Sequence, residues 1–104
     1  MEETLRLCGE AADWWVAKIS EEHKAIPSCK LDGVRRDLKK AIKNHVSFGS
    51  RLRLSTCGRR DPIIDNILFN NGLVPSFLPL GYEMIIIMNH AYVSDNAGNI
   101  LIEF

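Results

Sequence analysis

The sequence predicts an α+β fold: an N-terminal helical hairpin, then β-α-β-β-β, with a mainly antiparallel sheet carrying the helices on one face. Three features carry this expectation. Residues 4–46 repeat apolar side chains at three- and four-residue spacing, as amphipathic helices do. Residues 51–56, RLRLST, alternate with period two instead. The last third holds short apolar runs separated by Asn, Asp and Gly, which reads as a β-meander. A chain of 104 residues is one domain, 1–104, by its size. Its 46% hydrophobic content is enough for a two-layer core.

The first helix is expected over TLRLCGEAADWWVAKISEEHKAI. Leu5, Cys8, Ala12, Trp15 and Ile19 form one stripe, widened by Leu7, Ala11 and Trp14. Trp14 and Trp15 stand about 100° apart, so only one can point straight into the core; Trp15 lies on the main stripe, and Trp14 is expected either at the core edge, the commoner fate of such a residue, or exposed as an interface anchor. Pro27 cannot continue the helix. The second helix is expected to begin at Ser28 or Asp32, either of which can cap it. It carries Leu31, Val34, Leu38, Ala41, Ile42 and His45 on one face, with Gly49 as its C-terminal cap. His45 reads as a satisfied histidine at the core edge.

Leu52 and Leu54 alternate with Arg51 and Arg53, as in a strand with one wet face. Asp61 and Pro62 suit the N-cap and first position of a third helix, with Ile63, Ile64, Ile67 and Leu68 as its core stripe and Gly72 at its end. Pro75 and Pro79 keep the next stretch irregular. The meander is then a strand over 82–88, a turn at Asn89-His90, a return strand over 91–94, a turn over 95–98 and a last strand over 100–104. That last strand has one charge, so as an outer strand it invites pairing and a homodimer through its edge.

Formal charge is zero, but unevenly spread. Residues 1–26 carry −3, residues 27–60 carry +8 and residues 61–104 carry −5. Such asymmetry speaks to partners rather than to fold. Arg36, Lys39, Lys40 and Lys43 are surface neighbours on the second helix. With Arg51 and Arg53 on the adjoining strand, and Arg59 and Arg60 at the rim, they are expected to converge into one field for an acidic protein surface or for nucleic-acid phosphate. A neutral chain without aromatics among its cations favours the protein partner over nucleic acid.

The loop Ser55-Thr56-Cys57-Gly58-Arg59-Arg60 joins a strand to a helix N-terminus, an arrangement that can cradle a nucleotide-like anion. It matches no Walker, dinucleotide or phosphatase signature, and no histidine is spaced to activate Cys57. No catalytic residue is therefore assigned, and the expectation is a non-enzyme. Three scattered cysteines and three scattered histidines give neither a disulfide framework nor metal-ligand spacing, so no metal and no cofactor are expected. The longest apolar run, Met84 to Met88, is strand-sized, so no membrane span is expected. The acidic N-terminal stretch lacks the pattern of a secretory signal, and a cytoplasmic location is expected.

AADWWVAKI, the basic helix, LRLST, DPIIDNIL, NNGL and a closing meander together resemble small proteins carried by phages and mobile elements of Firmicutes-type bacteria. The resemblance implies a gene context of small domains that inhibit host defence, CRISPR nucleases included. Such domains bind a protein or sequester a nucleotide signal, and they act in the cytoplasm of the host cell. It brings no catalytic residue. Cys57-Gly58-Arg59-Arg60-Asp61-Pro62 replaces the shorter, acidic Asp-Tyr-Gly-Pro-Asp loop of those relatives.

Overall fold

The computed structural model describes residues 2–58 and 62–104. The elements run α1 (Glu2–Glu22), α2 (Ser28–Ser47), β1 (Leu52–Ser55), α3 (Pro62–Asn70), a 3-10 turn (Pro75–Phe77), β2 (Tyr82–Ile87), β3 (His90–Asp95) and β4 (Ile100–Glu103). The four strands form one antiparallel sheet in chain order, β1-β2-β3-β4. This is the expected α+β architecture. Asp61 and its capping role lie outside the described residues.

Register decides which side chains meet the helices. Leu52 pairs with Ile86 and Leu54 with Met84, while Met84 pairs with Val93 and Ile86 with Ala91. All six are buried in one cluster with the apolar faces of the three helices. The residues between them, Arg53, Ile85 and Tyr92, therefore point to the other side of the sheet. Ile85 is buried there, apart from the main cluster.

On α1 the buried set is Leu7, Cys8, Ala11, Ala12, Trp15, Val16 and Ile19. Leu5 lies on the same stripe but stays 40% exposed, at the end of the stripe beyond the buried Leu7 and Cys8. Trp15 is fully buried and meets Trp14 edge-on, ring centres 4.9 Å apart. Trp14 is half-buried at the core edge, as its helical angle requires, and stands edge-on to Tyr82 at 5.2 Å. Burial pushes the Cys8 thiol up, with Lys39 and Lys43 partly opposing, so it stays protonated and unreactive.

Two turns depart from expectation. Neither Ser28 nor Asp32 caps α2: Pro27 occupies the cap position without a side-chain bond, and its carbonyl accepts from the Lys30 and Leu31 amides. The proline's fixed φ of −59° presets the entry. The β2–β3 turn falls at Met88-Asn89 rather than at Asn89-His90, since Ile87 pairs with His90. Cross-strand pairing draws His90 into β3 and leaves Asn89 in the turn, while Met88 takes a φ of 54°. Both expected glycine caps are present. Gly49 at φ 72° and Gly72 at φ 74° each close a Schellman motif, Ser50 N donating to His45 O and Leu73 N to Leu68 O.

The α2–α3 junction turns on Gly33, which is buried in mid-helix. The Asn71 side chain crosses it, donating to Asp37 Oδ2 at 2.9 Å and to Ile67 O at 2.8 Å. A Cβ on Gly33 would overlap Asn71 Oδ1. Alanine gains about 1 kcal/mol of helix propensity over glycine. Displacing Asn71 forfeits two bonds of about 1 kcal/mol each and strands a partly buried amide. Gly33→Ala is therefore expected to lower stability by about 1 kcal/mol in urea unfolding, and Asn71→Ala in that background to recover part of the loss. A stabilised Gly33→Ala chain would refute the junction.

A lysine ridge on the second helix as the candidate functional site

α2 turns Val34, Leu38, Ile42 and Val46 into the core. At about 100° per residue, Lys39, Lys43, Arg36 and Lys40 then sweep an arc from the flank beside α1 round to the side opposite the core. All four are exposed. Lys39 also lies across α1: its Cε stands 3.7 Å from where a Cβ on Gly9 would sit, so the glycine leaves room for the aliphatic stem.

Among the described residues Lys24, Lys30 and Arg51 also lack an ion pair, but this ridge sets three such cations side by side on one helix, while most of the remaining described cations are held by carboxylates. Arg35 donates to Asp13 at 2.7 Å and to Asp32 at 3.3 Å. Arg6 holds Glu10 at 2.8 Å and Lys18 holds Glu21 at 3.5 Å. Arg36 approaches only Asp37, at 3.9 Å. Among the described residues, no carboxylate comes within ion-pair distance of Lys39, Lys40 or Lys43. Three neighbouring lysines facing water with no internal partner repel one another, by about 1 kcal/mol or less per pair at surface separations. An acidic surface would relieve that repulsion.

The expected meeting of helix and strand cations does not occur. Arg53 projects from the sheet face opposite the helices and is held by Glu83, its Nη2 2.9 Å and its Nε 3.0 Å from Oε2. The sheet itself stands between Arg53 and the ridge. Arg51 is exposed and stands immediately before the strand. Arg59 and Arg60 lie outside the described residues.

Ser55 and Thr56, the described start of the anion-loop candidate, are less open to an anion than their composition implies. Thr56 is buried, its Oγ1 accepting from Tyr82 N at 3.1 Å and donating to Tyr82 O at 3.3 Å. Ser55 is buried, and its Oγ accepts from Cys57 N at 3.1 Å. Both hydroxyls serve the backbone, extending the β1–β2 ladder and fastening the turn. Gly58, at φ 73°, and the half-buried Cys57 remain beside them. His45 Nδ1 bonds Ala41 O at 3.0 Å, a satisfied core-edge ring. Among the described residues, no three His, Cys, Asp or Glu side chains gather as a metal site, and no helix is long and apolar enough to cross a membrane.

β4 is the sheet's outer strand beyond β3, and Ile100, Leu101 and Ile102 are 58%, 50% and 39% exposed. No protein-family model and no curated protein matches the chain.

Proposed function

We propose that the chain is a non-enzymatic binding protein that occupies an acidic surface of a partner protein through the outward ridge of α2, with Lys39, Lys40 and Lys43 at its centre and Arg36 beside them. The observation that carries this reading is the trio of exposed lysines without a carboxylate partner, on a chain that pairs Arg6, Arg35 and Arg53 internally. Overall neutrality and a sequence pI near 6.8 favour a protein partner over nucleic acid, whose binders carry a net basic field. Inhibition of a host defence protein, implied by the resemblance to phage-borne proteins, is one biological setting for this activity. The test is affinity purification from bacterial lysate at two salt concentrations. Retention of an acidic protein supports the reading. Retention of nucleic acid alone, lost steeply with salt, overturns it in favour of phosphate binding.

A second copy of the chain is a further partner, favoured by the exposed apolar edge of β4. Two β4 strands paired antiparallel about a two-fold axis would give a continuous eight-stranded sheet. Sedimentation of the wild-type chain is then expected to show a dimer that Leu101→Lys dissociates. A monomer at every concentration would exclude the pairing.

A further inference from the structure

At one end of the ridge Lys43 borders a cleft of about 300 Å3. Its apolar lining is Leu5, Val46 and Met88, and its polar lining includes Thr4, Ser47 and Asn89. The walls come from three separate parts of the chain: the start of α1, the end of α2 and the β2–β3 turn. They are fastened together, Thr4 Oγ1 donating to Asn89 Oδ1 at 2.6 Å. Val46 belongs to the core, but Leu5 and Met88 are left 40% and 63% exposed. Met88 is also the residue held at a positive φ, 54°, where glycine would sit without strain. A large apolar side chain kept in water on a strained backbone costs stability twice. Residues in such conformations concentrate where ligands are gripped.

Size and charge narrow the occupant. Pockets for whole small molecules run from about 300 to 1,000 Å3 and enclose most of their ligand. A cleft at the floor of that range, open to solvent, suits one anchoring side chain instead. No carboxylate is among the described residues that line it. Lys43 stands at its edge, with Lys39 and Lys40 continuing along the helix.

We propose that this cleft is the anchor point of the α2 interface: it receives one apolar side chain, of leucine or methionine size, from an acidic segment of the partner protein, whose flanking carboxylates rest on Lys43 and Lys39. The inference builds on the ridge reading and adds to it a buried apolar contact, which supplies affinity where exposed ion pairs supply little.

Two short peptides test it by NMR titration at low salt: glutamates flanking a single leucine, and the same peptide with glycine in its place. The leucine peptide is expected to bind about tenfold more tightly or better, the yield of burying one such side chain, and to shift the methyl signals of Leu5, Val46 and Met88. Met88→Gly removes one wall but gives the turn the residue its backbone favours, so the chain stays folded. Its affinity for the leucine peptide is expected to fall to that of the glycine peptide. Equal binding of the two peptides, or full leucine-peptide affinity in Met88→Gly, overturns the cleft. Equal binding with shifts confined to Lys39, Lys40 and Lys43 overturns the cleft and leaves the ridge standing. No shift at those lysines with either peptide overturns both.

Discussion

Trp15→Ala is expected to remove about 3–5 kcal/mol of stability, the usual cost of deleting a large aromatic from a packed core. Domains of this size have about 5–15 kcal/mol in all, so the variant should be partly unfolded at room temperature or melt far below the wild type. The site cannot collapse cheaply. Trp15 is fully buried, is packed on Trp14, and belongs to the one core cluster that the helices and the sheet share. Trp15→Phe should cost under about 2 kcal/mol. It retains an aromatic ring and discards a buried Nε1 that has no hydrogen-bond partner among the described residues. Trp14→Ala should also cost less than Trp15→Ala. Trp14 is only half-buried, with Tyr82 edge-on and Lys18 Nζ 5.5 Å from its ring centre. Urea unfolding of the three variants orders them directly. A larger loss for Trp14→Ala than for Trp15→Ala would mean that the core is centred elsewhere.

The second large effect belongs to binding rather than folding. Reversing Lys39, Lys40 and Lys43 to glutamate together is expected to weaken the partner complex by well over tenfold. Each reversal trades an attraction for a repulsion at the same surface. Stability should change by no more than about 0.5 kcal/mol per site, because none of the three has an ion pair or a buried head group to lose. The local lysine–lysine repulsion disappears with the reversal, which works in the variant's favour. Calorimetry of the complex and urea unfolding of the free chain separate the two effects. A large stability loss would expose a structural role for the ridge instead.

Much of the fold was legible because spacing reports faces. The α1 and α2 stripes, both glycine caps, the core-edge position of Trp14 and the four strands all follow from side-chain period and turn chemistry. Leu5 shares the stripe yet stays exposed, because a stripe shows where a residue points, not whether core lies beneath it. Local propensity alone sets the β2–β3 turn one residue late, since the Ile87–His90 pairing is a tertiary preference that outweighs it. The cleft is not legible in the sequence for a related reason: its walls are brought together only by the docking of α1, α2 and the hairpin.

The placement of Arg53 is more instructive, because the sequence contained the answer. Leu52 and Leu54 must face the core, and α2 must lay Val34, Leu38 and Ile42 against that same core. The outward faces of the strand and of the helix then point in opposite directions, whatever their separation along the chain. Two wet faces of one two-layer domain cannot merge across its core. Likewise, Ser55 and Thr56 looked available in the sequence, but hydroxyls at the end of a strand are the groups most easily taken by the adjoining backbone.

One measurement bears most directly on where this protein binds: the affinity of its captured partner for the wild type, the Lys39/Lys40/Lys43→Glu variant and Arg53→Gln, compared under one salt condition. The ridge variant should lose more than tenfold while Arg53→Gln, on the far side of the sheet, binds as the wild type does. Undiminished binding by the ridge variant, with Arg53→Gln impaired, would place the contact surface on the opposite face of the molecule.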